Sequence, residues 1–251
     1  MPAAPIGLCW RKEKKSPTVF GIQSLPCKLC YGGMIQVGME RTMAKPETGS
    51  IHFDIVAREA QVVGKGPRIA AVPNERIDEA SRKLVNEVRA SAGAGPVTVL
   101  PEYMRTMIKH PAIFRMHMEM GTVIFKGLIP PRERELAVLR TGWLCKAPFE
   151  WGEHVDIAKR YGLTKEEIAR VTAGSAAAGW SEHEAAILRG VEELIADHCL
   201  SDETWNTLAK SWDEPRLIEF LMMVGQYMTT ALVQNSLRIP LAEDNPGLSY
   251  R

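Results

Sequence analysis

The chain has almost no net charge. Across 251 residues, 31 lysines and arginines stand against 30 aspartates and glutamates, so no global field favours nucleic acid or an anionic membrane as partner. The single basic run, Arg11 to Lys15, is short and interrupted by Glu13. Apolar runs of membrane-spanning length are missing too. The nearest, Leu217 to Val233, is broken by Glu219, Gln226 and Thr229-Thr230 and reads as a buried core helix. Cysteines number five, an odd count with no secretory signal ahead of them. That argues against a disulfide framework and predicts a cytoplasmic protein. Cys27-Lys28-Leu29-Cys30 has redox or zinc spacing but lacks a second ligand pair, and no helical pattern follows it.

Hydrophobic residues make up 45% of the chain, enough for one substantial core. Residues Met1 to Gly66 scatter Pro, Gly, Lys and Ser without period, and Met34, Met39 and Met43 recur among them. They read as an extension, poorly ordered or packed as an arm, ahead of a domain spanning residues 67–251. Ile51 to Val56 alternates and predicts a short strand in that arm. From Pro67 onward the signals are helical. One amphipathic helix begins near Asn74 and carries Ile77, Ala80, Leu84, Val85 and Val88; another covers Pro101 to Lys109. A third covers Ala112 to Lys126, with Ile113, Phe114, Met116, Met120 and Ile124 as its core face. Pro131 starts the next at its first position, and Ala147-Pro148 separates that one from its successor. Thr164-x-x-Glu167 and Ser181-x-x-Glu184 are capping boxes, Ser201 caps a further helix, and a long one runs from Pro215 to Asn235. No segment after Pro67 alternates convincingly, so the body is predicted all-α.

The helical hairpin Pro131 to Gly162 hides charge among hydrophobes. Glu135 and Arg140 sit among Leu136, Ala137, Leu139, Trp143 and Leu144. On a wheel of about 100° per residue, Glu150, Trp151, His154, Val155, Ile157, Ala158 and Tyr161 share one arc. Glu153, Asp156, Lys159 and Arg160 share the other. Glu150 and His154, at i and i+4, are thus neighbours on the buried side. A buried carboxylate is costly unless paired, and an adjacent imidazole is a natural partner that is pushed toward protonation. That is the electrostatics of a general acid or proton relay. A satisfied core histidine and a solvated end-of-helix Glu are the plainer alternatives. Gln226, Tyr227 and Asn235 form a second polar group on the last long helix; amides satisfied by backbone are the plainer account there.

These residues resemble the core of the carboxymuconolactone decarboxylase family, relatives of the alkylhydroperoxidase D proteins. The run Arg132 to Val171 carries the likeness, which extends over roughly residues 67–240. The redox branch of that family has Glu-x11-Cys-x2-Cys-x3-His; this chain has Glu135-x11-Ala147-x2-Glu150-x3-His154. The acid and the histidine are in register while both thiols are replaced. Cys145 lies two residues off the first thiol position, about 200° round a helix. A thiol peroxidase needs a peroxidatic and a resolving thiol, so that activity is not expected.

The resemblance implies an alkylhydroperoxidase D-like helical bundle and a homo-oligomer (dimer, trimer or hexamer). It also implies a cofactor-independent lyase acting on a small ring-derived carboxylate or lactone, in aromatic-compound catabolism. In that chemistry His154 is the expected proton donor, Glu150 tunes it, and Glu135 is a second relay carboxylate. Arg140 is the candidate anion anchor, with an ion pair to a local Glu equally compatible. Trp151, Tyr227, Gln226 and Asn235 are expected to line the pocket, and no metal or other cofactor is required. Two other readings stay open: a metal-dependent hydrolase or lyase using Glu135, Glu150 and His154, and a non-enzymatic oligomeric module whose buried charges specify assembly.

Overall fold

A computed structural model describes residues 52–251, which all lie in one unit, Ala44–Arg251. Arg11 to Lys15, Cys27, Cys30, Met34, Met39, Met43 and Ile51 lie outside the described residues. Among the described residues there are ten α-helices and no strand, as the lack of alternation predicts. They are α1 (Ile55–Val62), α2 (Glu79–Ser91), α3 (Glu102–Met107), α4 (Pro111–Phe125), α5 (Pro131–Leu144), α6 (Pro148–Arg160), α7 (Lys165–Ala173), α8 (Glu182–Ala196), α9 (Asp202–Ala209) and α10 (Glu214–Leu237).

The bundle is built around α5, which packs on α6, α7, α8 and α10. Every residue from Arg134 to Trp143 is buried, so α5 is wrapped on all sides. Its core partners include Trp151 and Val155 of α6, Ile168 of α7, Ile187 and Leu188 of α8, and Phe220 of α10. Pro131 occupies the first turn of α5 and Pro148 that of α6, where a missing N–H costs nothing. Both capping boxes form, at Thr164 and Ser181, and Ser201 caps α9.

Three expectations need correction. Of the stretch Ile51 to Val56, the described residues 52–56 form no strand: Asp54 accepts from the Ala57 N–H and caps α1, which starts at Ile55. The alternation there was too short to outweigh a local cap. The helix expected near Asn74 begins instead at Glu79, capped by Asp78, after a 3-10 turn over Asn74–Arg76. On α4 the buried residues are Phe114, Met118 and Ile124, while Ile113 and Met116 are exposed. That helix is apolar most of the way round, so periodicity alone could not choose its inner face.

The chain end closes over α6. Trp151 Nε1 donates to Tyr250 O at 2.9 Å, and Asn245 Nδ2 donates to Phe149 O and Glu153 Oε1, each at 3.1 Å. Asn245 Oδ1 accepts from the Gly247 N–H. This seal demands glycine at 152, where a Cβ would lie 1.6 Å from Asn245 Oδ1. Gly152→Ala is therefore expected to displace Asn245, break its three hydrogen bonds and cost about 1–3 kcal/mol. Thermal unfolding would show it as a fall of roughly 2–4 °C per kcal/mol for a domain of this size; an unchanged Tm would mean that Asn245 yields freely.

Candidate active site

The α5–α6 hairpin delivers Glu135, Glu150 and His154 to one place. Gly142 sits on α5 where the helices touch, close to the Trp151 backbone. The turn is closed by Lys146 in a left-handed conformation, φ 49°, and by the Ala147 N–H donating to Gly142 O at 2.9 Å. This close approach brings Glu135, two turns up α5, level with His154 on α6. His154 Nδ1 donates to Glu135 Oε2 at 2.7 Å, and Nε2 faces Glu150 Oε1 at 3.3 Å. The imidazole is thus held between two carboxylates, one on each nitrogen.

Each carboxylate has a further partner. Glu135 Oε1 accepts from Arg134 Nε at 2.8 Å, and Glu150 Oε2 accepts from Gln234 Nε2 at 2.7 Å. Aromatic rings enclose the group: Phe125 stacks on His154 at 6.2 Å between centroids, and Tyr227 meets it edge-on at 5.0 Å. The Arg134 guanidinium lies over the Phe125 ring at 4.6 Å. Burial by itself disfavours the charged imidazole, but Glu135 and then Glu150 outweigh it and carry His154 up to about 10. His154 is therefore an imidazolium at neutral pH, able to give a proton and not to take one. Tyr227 is raised well above its ordinary value, by burial first and then by the two carboxylates, so its phenol also keeps its proton.

These groups border a cavity of about 850 Å³ between α2, α3, α4, α6, α10 and the chain end. Glu150 and His154 reach its wall; Glu135 does not, and acts on the cavity only through His154. A second polar line stands across the space. Gln226 Nε2 donates to His117 Nδ1 at 2.7 Å, and His117 Nε2 lies 3.1 Å from the Tyr103 hydroxyl. Burial holds His117 below its ordinary value, so it is the neutral histidine of the site, opposite a charged one. Burial, and then Glu150, raises Tyr103, which keeps its proton as well.

The structure brings together only part of the residue set expected from the sequence. Gln226 and Tyr227 line the cavity with Glu150 and His154. Trp151 is wholly buried in the core and spends its N–H on the chain end. Asn235 donates to Cys145 O at 3.1 Å and opens on a different cleft. Arg140 is not an anchor at this cavity: its Nε and Nη2 meet Glu192 Oε1 at 2.9 and 2.8 Å, and Nη1 binds the Val171 and Thr172 carbonyls. The ion-pair alternative is the one realised, because the arginine leaves α5 on the side facing α7 and α8. The arginines that do line the cavity are Arg89, Arg105 and Arg160.

Residues that the sequence pattern did not single out are Gln234, Thr230, His117, Tyr103 and Phe125, all on the cavity wall. A signal for two of them was present. Gln226, Thr230 and Gln234 recur every four residues and form one polar stripe on α10; Asn235, one residue further, points about 100° away. A metal set from Glu135, Glu150 and His154 does not form, since the two carboxylates engage opposite ring nitrogens instead of converging. Cys145 faces away from His154, and burial followed by the Glu150 charge pushes its thiol up to about 11.

The segment that carries the histidine and its two acids lies within a family match. Residues 111–193 match the model of the carboxymuconolactone decarboxylase family. The match runs from α4 into α8 and so contains the whole hairpin, though it is shorter than the 67–240 span of the resemblance. No curated protein matches the chain. Among solved structures, an uncharacterised peroxidase-related protein with an alkylhydroperoxidase D core from Ralstonia eutropha JMP134 matches with a TM-score of 0.61. It is 15% identical, over 71% of this chain and 93% of that one. The apo debrominase Bmp8 matches at 0.60 and 14% identity, over 71% and 94%. A protein of unknown function from Agrobacterium tumefaciens matches at 0.51 and 19% identity, over 54% and 94%. These likenesses establish an alkylhydroperoxidase D-like fold.

Proposed function

We propose that the chain is a cofactor-independent acid–base enzyme of the carboxymuconolactone decarboxylase type, acting on a small ring-derived carboxylate or lactone. The observation that carries this is a buried imidazolium held between Glu135 and Glu150 at the wall of a cavity of about 850 Å³, a volume within the usual small-molecule range. In a decarboxylation the bond to the carboxylate carbon breaks, its electron pair stays on the ring, and CO2 leaves. A proton must then reach the electron-rich carbon, and His154, through the nitrogen that faces Glu150, is the titratable donor at the cavity wall. Glu135 holds the ring and its charge; Gln234 holds Glu150. Gln234 Oε1 is buried without a hydrogen-bond partner, an acceptor that a substrate hydroxyl reaching past the wall would satisfy.

Arg160 replaces Arg140 as the seat for a substrate carboxylate. It lines the cavity, and no hydrogen bond or ion pair engages it among the described residues. It lies six residues beyond His154 on α6, about 9 Å along the helix. The 2,3,4-tribromopyrrole in a complex of the similarly folded debrominase is a ring of comparable size.

The test is CO2 release across a panel of lactone and ring carboxylates, with Glu150→Gln as the paired variant. Turnover of one panel member by the wild type, reduced at least about a hundredfold in Glu150→Gln, is the expected result. Equal rates in the two proteins would remove the mechanism, and no turnover together with no ligand bound near His154 would favour a non-enzymatic module.

Homo-oligomerisation is the second expectation. Ile113, Met116 and Val123 of α4 and Ile218, Met222 and Leu232 of α10 are exposed in the single chain, apolar side chains that a second copy would cover. Light scattering is expected to give a mass of at least twice 27.9 kDa; a monomer at micromolar concentration would refute it.

A further inference from the structure

A second cleft, of about 430 Å³, lies between α1 and the last turns of α10, away from His154. Its lining includes Arg58, Lys65, Arg68 and Arg238 and no carboxylate, in a chain whose overall charge is +1. The large cavity differs: its three arginines are mixed with acids such as Glu102, Asp156 and Asp244. Cys145 adds no negative charge to the second cleft, because burial and then Glu150 hold its thiol protonated at neutral pH.

Part of this charge has a structural use. Arg58 Nε donates to Lys146 O at 3.0 Å and Nη1 to Gln61 Oε1 at 2.8 Å, while Arg68 Nη1 donates to Ser236 O at 3.0 Å near the end of α10. A helix C-terminus carries only about half a negative charge, so one such cation satisfies it. Lys65 and Arg238 have no hydrogen bond or ion pair from their side chains among the described residues. Four like charges around so small a volume repel one another, a cost that an anion in the cleft would cancel. Arginine forks suit phosphate and carboxylate oxygens equally, and Asn235 and Ser236 supply neutral polar groups beside them.

We propose that this cleft binds a compact polyanion, a small molecule bearing phosphate or several carboxylates, at a site separate from the His154 cavity. Its floor is the α5–α6 turn, through Cys145 and the Arg58 bond to Lys146 O, and that turn also leads into Glu150.

Calorimetric titration of the full chain at low salt, with inorganic pyrophosphate in one arm and citrate in the other, tests the site. One-site saturation below about 1 mM is expected for at least one anion, and the tighter of the two assigns the ligand chemistry. The double variant Lys65→Glu, Arg68→Glu should weaken that binding at least about tenfold with an unchanged circular dichroism spectrum, since both side chains are exposed. Lys83→Glu, on the exposed face of α2, controls for the general field and should change binding less than about twofold. The proposal is overturned if neither anion saturates, if the double variant binds as the wild type does, or if Lys83→Glu is as damaging.

Discussion

His154→Ala is expected to abolish turnover of whatever substrate the panel identifies and to destabilise the protein in the same stroke. Loss of a positioned proton donor costs a factor of about 10²–10⁴. The stability effect follows from the neighbours left behind. Glu135 is wholly buried and Glu150 nearly so; without the imidazolium, Glu135 keeps Arg134 and Glu150 keeps only the Gln234 amide. Removing one member of a buried charged group costs roughly 3–5 kcal/mol. The variant should keep its helical spectrum at 25 °C and melt well below the wild type. The pH dependence separates this electrostatic loss from a simple cavity. The folded-state value of His154 is raised, from 6.5 to about 10, so the stability it supplies is complete below pH 6.5. That contribution is lost as pH rises through about 10. Denaturant midpoints of wild type and variant should therefore converge toward the alkaline end. A constant gap across that window would show that His154 contributes packing and no charge.

Glu192→Ala is expected to be the most damaging change outside the cavity, and to damage stability alone. Glu192 Oε1 accepts from Arg140 and from the Ser175 N–H at 2.9 Å, while Oε2 accepts from the Ser175 hydroxyl at 2.6 Å. Arg140 is 1% exposed, and its charge would be left with only the Val171 and Thr172 carbonyls. An unpaired buried cation of this kind costs about 3–5 kcal/mol. Replacing both partners, Arg140→Met with Glu192→Met, should recover most of it, since an apolar pair of similar volume is often neutral. Turnover per folded molecule should stay within about twofold of wild type in the double variant. A selective rise in KM would instead restore Arg140 as an anion anchor.

Much of the architecture could be read from the chain alone. The pairs of capping residues and the prolines at helix starts are local devices whose energy comes from a few neighbouring groups, and α5 to α10 formed where they indicate. Burial of Glu150 and His154 was also legible, because i and i+4 on one helix must share a face. Where a helix is apolar most of the way round, as α4 is, or where a cap competes with a short alternation, as at Asp54, the local pattern fits more than one structure and packing decides.

Sequence by itself determined an all-α body, a hairpin with hidden charge, and a spacing that puts Glu135 and His154 nineteen residues apart with no thiol at 147 or 150. Tertiary structure alone decided who partners whom. It put Glu135 and Glu150 on opposite nitrogens of one ring, matched Arg140 with Glu192, and turned Gln234 and not Asn235 toward the acid. It also set His117 and Tyr103 across the cavity. Those pairings join residues far apart in sequence, such as Glu150 and Gln234. Helix periodicity specifies the face a side chain takes; only the packing of one helix on another specifies what that face meets.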